Sequence, residues 1–294
     1  MMVPTAYLGV ILIWTTTPLA VKWSGEGPGF LFGVTGRMVL SAVIALALVE
    51  LLRLPMPWNR RARKSYLAAG LGIYSAMLGV YWAAQFIPSG WISVFFGLSP
   101  IITGVMAALW LGERSLSAPR LVGLLLGIVG LVVIFGGTLQ GDEQTFYGVL
   151  ALTLSVICHS ASAVWMKRIA APISGLATTA GGLLVAAPLF LLTWFFSGNT
   201  WPEQIGDRAA ASIIYLSICG SVLGFALYFY LLRHMDIVRV SLIMLITPVS
   251  ALLLGVVLND EVVTVSVWVG TLLIMGGLVS FEFGSRLKRY LLRT

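Results

Sequence analysis

The chain has 294 residues, of which 59% are hydrophobic and only 10% are charged, and its formal net charge is +7. A soluble domain carries about 25% charged residues, so this composition excludes a soluble globular protein and predicts an integral membrane protein. The basic residues lie in short gaps between apolar runs, which is typical of loops that face anionic lipid. We therefore expect membrane lipid and a small-molecule substrate as partners, and no nucleic acid.

Ten apolar runs follow one another along the chain, and each is long enough to cross a hydrocarbon layer of about 30 Å as a helix. Continuous runs favour helices, because a membrane β-barrel would show short segments of alternating polarity. The predicted fold class is therefore an all-α integral membrane protein with ten transmembrane helices. The runs lie at residues 5–22, 30–52, 66–87, 90–111, 119–137, 146–166, 173–197, 210–232, 237–258 and 263–283.

Basic residues fall on one side of the membrane when the N-terminus is placed inside. The opposite side receives only Lys22 and Arg208, together with most of the acidic residues. The positive-inside rule then predicts a multi-pass protein of a bacterial-type inner (plasma) membrane with both termini in the cytoplasm. The first cytoplasmic loop alone contains Arg53, Arg60, Arg61, Arg63 and Lys64.

The two halves of the chain resemble each other. Glu113 follows Pro100 by thirteen residues, and Glu261 follows Pro248 by the same spacing. We predict two five-helix repeats, at residues 1–140 and 141–294, the second ending in a short basic tail. Because five is odd, the second repeat would be inverted, which is an architecture of transporters that work by alternating access. Further matched positions are Leu78-Gly79 with Leu223-Gly224, and Trp14 and Lys22 with His159 and Lys167.

The turns and glycines of these halves also resemble a known family. The segments Leu111-Gly112-Glu113-Arg114 and Asn259-Asp260-Glu261, each followed by a glycine-containing closing helix, are similar to the EamA repeat of the drug/metabolite transporter superfamily. Within that superfamily the chain looks most like the YddG-type exporters of aromatic amino acids. The resemblance implies a ten-helix carrier that exports metabolites such as amino acids, with the fifth and tenth helices at the ends of the bundle.

Arg37 and His159 are polar residues inside apolar runs. A charged side chain such as Arg37 costs about 2.5–3.5 kcal/mol at the membrane centre, so it either meets a substrate carboxylate or extends to the surface and to helix-end carbonyls. His159 shares one face of the sixth helix with Ser155 and Ser162. This polar stripe predicts a wall of a substrate site, and a proton relay or plain helix packing are the alternatives.

Aromatic residues in the middle of several runs predict a cavity for flat, amphipathic solutes. Tyr74, Leu78, Tyr81 and Gln85, for example, share one face of the third helix. Packing between helices is the alternative role for each residue taken singly. The predicted substrate-binding residues are Trp14, Arg37, Tyr74, Tyr81, Gln85, Phe95, Ser99, His159, Ser162, Trp165 and Tyr228.

Three prolines within the runs, Pro18, Pro100 and Pro248, are predicted hinges. A proline removes one backbone hydrogen bond and bends a helix. Pro100 and Pro248 occupy matched places in the two repeats, which favours a role in gating. A static kink that only makes room for a cavity is the alternative.

Glycines are spaced along the fifth and tenth helices so that another helix can pack closely on them. Such ridges serve either a dimer or contacts within one chain, so we expect a monomer or a weak homodimer. The glycines are Gly123, Gly127 and Gly130 in the fifth run, and Gly270 and Gly277 in the tenth.

The sequence lacks the motifs that several other functions would need. A phosphate-cradling loop is absent, which argues against ATP-driven transport by this chain alone, and no acidic residue lies deep in a run, which disfavours tight proton or sodium coupling. Cys158 and Cys219 have neither the spacing of a disulfide framework nor that of a metal site. We therefore expect no cofactor, no metal and no catalytic residue.

The functional prediction is a facilitator or exporter of small metabolites, with amino acids that carry aromatic or apolar side chains as the expected substrates, and not an enzyme. A nucleotide-sugar or other metabolite or drug carrier of the same superfamily is the first alternative. An integral membrane enzyme that modifies lipids is the second, and it would need a cluster of carboxylate, histidine or cysteine side chains at one interface.

Overall fold

A computed structural model of the chain describes residues 3–112, 118–138, 143–198, 200–234 and 243–291. Within these ranges all regular structure is helical. The sequence-matched Glu113 and Arg114 lie outside them. The elements are α1 (Val3–Ser24), α2 (Phe30–Leu51), α3 (Arg60–Ala83), α4 (Ser89–Phe96), α5 (Ser99–Leu111), α6 (Ala118–Thr138), α7 (Glu143–Ile169), α8 (Gly175–Phe196), α9 (Asp207–Tyr215), a π-helical segment (Leu216–Leu223), α10 (Gly224–His234), α11 (Ile243–Asn259) and α12 (Val265–Leu291).

These elements make ten crossings, which confirms the predicted ten-helix fold. Nine segments in the described part of the chain are long and apolar enough to span a membrane, and Ile243–Asn259 is a shorter apolar helix. The fourth crossing consists of α4 and α5, and the eighth consists of α9, the π-helical segment and α10. We call the end of the bundle at which α1 begins and α12 ends the terminal face, and the opposite end the Glu261 face.

The fourth crossing is interrupted because Pro100 is near the start of α5. Proline has no N–H to donate, and its ring clashes with the carbonyl of the residue four positions earlier, which is Phe96. The helix accordingly ends at Phe96 and begins again at Ser99. Pro18 and Pro248, the other predicted hinges, lie inside helices that continue past them.

The eighth crossing contains a wide turn from Leu216 to Leu223, where the backbone is π-helical. Such a turn accommodates an extra residue, and it occurs frequently at functional sites. Gly220 within the turn and Gly224 at its end have no side chains where this crossing approaches α2 and α1.

The predicted glycine ridges serve packing within the chain. A Cβ at Gly123 would lie 2.5 Å from the carbonyl oxygen of Gly277, and one at Gly130 would lie 2.7 Å from that of Gly270. The backbones of α6 and α12 are therefore in contact, as the small-residue spacing allows. This contact takes up both ridges, so they offer no surface for a dimer.

The remaining helices pack differently at the two faces. Toward the Glu261 face, α4 packs against α11 and α1. Toward the terminal face, α5 packs mainly against α7, whereas α1 packs against α10 and α11 and forms a second, smaller apolar cluster with them. Among the described residues, no extensive packing joins α5 to α1 or α10. The fourth crossing is thus packed against α1 and α11 at the Glu261 face, but it separates from α1 and α10 toward the terminal face.

Candidate functional site

Arg37 on α2 is buried in the membrane part of the bundle, with only 6% of its surface exposed. Its Nε donates a hydrogen bond to the Ser221 hydroxyl at 3.3 Å, and the Ser217 hydroxyl donates to the carbonyl oxygen of Arg37 at 3.2 Å. Its Nη1 is buried and has no hydrogen-bond partner among the described residues. Because a buried charge is costly unless it is paired, this nitrogen is a candidate donor to an anionic ligand.

The two glycines of the eighth crossing create the space around this guanidinium. A Cβ at Gly220 would lie 3.4 Å from Arg37 Nη2 and 3.6 Å from Thr17 Oγ1. A Cβ at Gly224 would lie 3.2 Å from Trp14 Nε1. Because the two glycines are about one turn apart, the guanidinium and the indole N–H occupy neighbouring levels of one groove.

An aromatic pair lies beside this groove on the side of the terminal face. The rings of Trp14 on α1 and Tyr228 on α10 are 5.1 Å apart, with their planes tilted by 39°. Tyr228 also lies within electrostatic range of Glu282 on α12. The groove therefore has a cation at one end and aromatic surface next to it, and the exposed Glu282 interacts electrostatically with Tyr228.

His159 lies at the interruption of the fourth crossing. Its imidazole is exposed and packs 5.5 Å from the ring of Phe96, the last residue of α4. The hydroxyl of the neighbouring Ser160 donates to the carbonyl oxygen of Ser99 at 3.5 Å. The Ser99 hydroxyl is itself buried, without a partner in the part of the chain that the structure describes.

One stripe along α1 changes from buried to exposed at about the middle of the membrane. Leu19 and Thr15 are 3% and 6% exposed, whereas Leu12 and Leu8, on the same stripe, are 64% and 59% exposed. On α7, Leu152 and Val156 are buried and His159, the next residue of its stripe, is exposed. These stripes are candidate walls of a cleft that opens at the terminal face, and we call this space the cleft.

The predicted face of α3 does not line the cleft. The Tyr74 hydroxyl hydrogen-bonds to Thr193 at 2.6 Å, in the interface with α8. Tyr81 is only 1% exposed and accepts a hydrogen bond from Ser24 at 3.5 Å near the Glu261 face. Gln85 lies at that face and donates to the carbonyl oxygen of Trp82 at 3.1 Å. Helix packing, which was the alternative for these residues, describes Tyr74 and Tyr81, whereas Gln85 is exposed in the turn that follows α3.

The predicted polar stripe of α7 is divided between two neighbours. Ser162 donates to the carbonyl oxygen of Ala68 at 2.8 Å and fills the space beside Gly72, while Ser155 packs beside Gly79. These serines therefore belong to the contact between α7 and α3, and only His159 is turned toward α4.

Trp165 and Phe95 also lie away from Arg37. Trp165 lines a groove of about 370 Å³ between α3, α5 and α7, and a second groove of about 490 Å³ continues along the seam between α3 and α7. Phe95 is fully buried in the main apolar core. Of the predicted residues, the structure thus brings together Arg37, Trp14 and Tyr228 in one group, and His159 and Ser99 in another.

The sequence matches the EamA-like transporter family at residues 3–136 and again at residues 146–281. The chain belongs to this family. The match confirms the predicted resemblance to the EamA repeat, and it agrees with a chain that contains the same helical unit twice.

Relatives of this EamA-like transporter align over nearly its whole length. The uncharacterized transporter YoaV of Bacillus subtilis is 25% identical over 95% of this chain and 97% of its own. The uncharacterized inner membrane transporter YedA of Escherichia coli is 24% identical over 96% and 91%. A probable amino-acid metabolite efflux pump of Escherichia coli is 24% identical over 95% and 94%.

A crystal structure with 22% sequence identity has the same fold, with a TM-score of 0.66 and coverage of 97% of this chain and 98% of the other. Together with the names of the relatives, the family match identifies a multi-pass membrane transporter.

Sequence reasoning missed two features of this transporter's site. Glu282 falls at the edge of the last apolar run, next to the basic tail, and an acid at that place looks like an ordinary surface residue. One signal in the sequence was available: a phenylalanine precedes and follows Glu282, so this acidic residue lies within an apolar segment. Ser217 and Ser221 are spaced by four residues on the eighth crossing, but only the fold shows that they face Arg37.

Proposed function

We propose that this EamA-like transporter carries amino acids with aromatic or apolar side chains across the membrane, and that Arg37 binds their carboxylate. The observation that carries the proposal is the buried Nη1 of Arg37, which has no hydrogen-bond partner in the described residues. A carboxylate would supply that partner through a charge-assisted hydrogen bond, and it would neutralise a cation that is otherwise expensive at this depth.

The aromatic pair supports a substrate with an apolar or aromatic side chain. Trp14 and Tyr228 present ring surface about one helical turn from the guanidinium. An indole or phenyl ring gains from stacking on such surface and from leaving water. Glu282, near Tyr228, would attract the ammonium group of the same molecule. This finer proposal agrees with the resemblance to YddG-type aromatic amino acid exporters.

The packing of the two faces supports alternating access. The packing of α4 against α1 and α11 at the Glu261 face, and the lack of extensive packing between α5 and α1 or α10 among the described residues, support a cleft that opens toward the terminal face. The interrupted fourth crossing and the π-helical eighth are the two irregular crossings that could bend as it closes. With the termini in the cytoplasm, the cleft in this state would load substrate from the cytoplasm and release it after the Glu261 face opens.

Flux into proteoliposomes that contain only this protein tests the proposal. We expect saturable uptake of labelled L-tryptophan and L-phenylalanine, with equal rates in the presence and absence of a pH gradient, because no acidic residue in the described part of the chain lies near the middle of a crossing and Glu282 is close to the terminal face. An excess of a nucleotide-sugar would not compete. Competition by the nucleotide-sugar, or no amino-acid flux from correctly folded protein, would contradict the proposed substrate class.

A further inference from the structure

At the Glu261 face, a single carboxylate joins three crossings. Glu261, whose side chain is 5% exposed, accepts hydrogen bonds from the backbone N–H and the hydroxyl of Ser89 at 2.8 and 3.0 Å. It also accepts one from Asn259 Nδ2 at 2.9 Å and forms an ion pair with Lys22 at 3.5 Å. Lys22 belongs to the first crossing, Ser89 to the fourth and Asn259 to the ninth.

The partners of Glu261 are bonded to one another as well. Lys22 Nζ donates to the carbonyl oxygen of Ile87 at 3.0 Å, just before α4 begins. Trp23 Nε1 on α1 donates to Asn259 Oδ1 at 2.9 Å. Because Ser89 is the first residue of α4, the carboxylate also lies at the positively polarised end of that helix. The donors that reach Glu261 from other crossings, Lys22 and Ser89, therefore tie α1 and α4 to the end of α11.

The backbone between Gly255 and Glu261 positions the carboxylate of Glu261 beside α4. Gly255 on α11 leaves room for it, since a Cβ there would overlap Glu261 Oε2. The N–H of Glu261 donates to the carbonyl oxygen of Gly255 at 3.1 Å, and the intervening Asp260 adopts a left-handed conformation with φ of 49°. The turn therefore folds Glu261 back over the end of α11 and toward α4.

We propose that Glu261 is a latch that holds α1, α4 and α11 together at the Glu261 face, and that its release is required for the cleft to open there. This inference rests on the alternating access described under Proposed function, but it does not depend on which substrate is carried. Glu261 acts through the helices it joins, so it is a positioning residue and does not touch the substrate.

A matched ion pair at the same face serves as the control. Glu26, just after α1, pairs with Arg208 of the eighth crossing at 3.6 Å, but its side chain is 45% exposed and that of Arg208 is 64% exposed. An exposed pair contributes little, because water competes for both partners. Glu26→Gln therefore removes the same charge from the same face without releasing the proposed latch.

Thiol labelling in two positions, on a background of Cys158→Ser and Cys219→Ser, reports the opening of each face. Leu252→Cys reports the Glu261 face, because Leu252 is 1% exposed and packs against Gly90 between α11 and α4. Leu12→Cys reports the cleft, because Leu12 is 64% exposed and lies on the stripe of α1 that is a candidate wall of the cleft. A membrane-impermeant methanethiosulfonate is added to one side of the membrane at a time, and no substrate is needed.

We expect Glu261→Gln to raise the labelling rate of Leu252→Cys by about tenfold and to lower that of Leu12→Cys, because a shift between two states exposes one face as it covers the other. Ser89→Ala, which removes one hydrogen bond, would give a smaller change in the same directions and would replace Glu261→Gln should that variant not fold. Glu26→Gln would leave both rates unchanged.

Three outcomes would contradict the proposal that Glu261 is a latch. Unchanged labelling of Leu252→Cys in Glu261→Gln would mean that the carboxylate does not hold this face closed. Faster labelling at both positions would mean that the substitution only loosens the fold. A Leu12→Cys parent that is not labelled would mean that the cleft is not open at the terminal face. Failure of tryptophan uptake, by contrast, would leave these results intact.

Discussion

The Nε of Arg37 on α2 donates a hydrogen bond to the hydroxyl of Ser221, at 3.3 Å, in the π-helical part of the eighth crossing. This bond fixes one edge of the guanidinium and leaves Nη1 buried without a partner among the described residues. An arginine that is held in place but incompletely paired is suited to bind an anion, because its orientation is set before the ligand arrives.

Replacing Arg37 separates carboxylate binding from structural support. We expect Arg37→Met to lower kcat/KM for tryptophan by about 10- to 100-fold, since hydrogen bonds to a charged group contribute about 1.5–3 kcal/mol. Thermal stability should stay the same or rise, because replacing an incompletely paired buried charge by an apolar side chain is often neutral or stabilising. Uptake kinetics and the unfolding temperature of the same preparation measure the two effects.

The control for this prediction is a second arginine and a second ligand. Arg208→Met, at the exposed end of the bundle, should change tryptophan uptake by less than about twofold. L-Tryptophanamide, which lacks the carboxylate, should compete with tryptophan equally well in the Arg37→Met variant and in the parent. A loss of tryptophanamide binding as large as that of tryptophan would show that Arg37 supports the fold of the site and does not bind the carboxylate.

The aromatic pair makes a prediction about substrate preference. Trp14→Ala should raise the KM for tryptophan by about 3- to 10-fold, because an aromatic contact contributes about 0.5–1.5 kcal/mol beyond buried area. Trp14→Phe should retain most of the affinity. Trp201→Ala removes an indole that is 70% exposed and distant from the cleft, so the KM should not change. Equal changes in KM for the Trp14 and Trp201 variants would show that the aromatic pair of Trp14 and Tyr228 does not contact the substrate.

The contact between α6 and α12 predicts a loss of stability without a loss of affinity. Gly123→Ala would place a Cβ 2.5 Å from the carbonyl oxygen of Gly277. Forcing extra atoms into a packed interface costs about 1–3 kcal/mol. Gly136→Ala, on the same helix but with nothing within 4 Å of its Cβ, should be neutral or slightly stabilising. Thermal unfolding in detergent compares them, and an equally stable Gly123→Ala variant would contradict the close backbone contact.

The interruption of the fourth crossing predicts an effect on turnover. Pro100→Ala restores the missing N–H donor and removes the ring that stops α4 at Phe96. If α5 moves relative to α4 during transport, a continuous helix should slow turnover several-fold and leave substrate affinity unchanged. Pro248→Ala alters a proline inside an uninterrupted helix, so it should slow turnover less. Equal slowing by both substitutions would argue against a hinge that is confined to the fourth crossing.

The ten crossings could be predicted because helix length and hydrophobicity are set by the thickness of the bilayer, which the sequence alone can match. Arg37 could be selected for a similar reason, since a charge in an apolar run needs an explanation wherever its neighbours lie. The spacing of the glycines also predicts that another helix packs closely on these ridges. It does not show whether that helix belongs to a second chain or, as the structure has it, to the same chain.

The lining of the cleft could not be predicted equally well. Helical periodicity shows that Tyr74 and Tyr81 share a face of α3, but not that α8 and the end of α1 cover it. Ser162 looked like a wall of the site because a polar residue in a membrane helix seeks an interior face, and the bare backbone at Gly72 provides one in the seam with α3. Which helix lies opposite a given face is a property of the tertiary arrangement.

The π-helical segment of the eighth crossing has a consequence for how such carriers diverge. A π-helical turn holds one residue more than an α-helical turn, so loss of a single residue between Ser217 and Ser221 would return this segment to an α-helix while α9 and α10 keep their relative rotation. Tyr228 would then still face Trp14, but Ser221 would shift relative to Ser217 and to Arg37. One codon deletion in this turn would thus change the pairing of the guanidinium while leaving the aromatic wall of the groove and the Glu261 face in place.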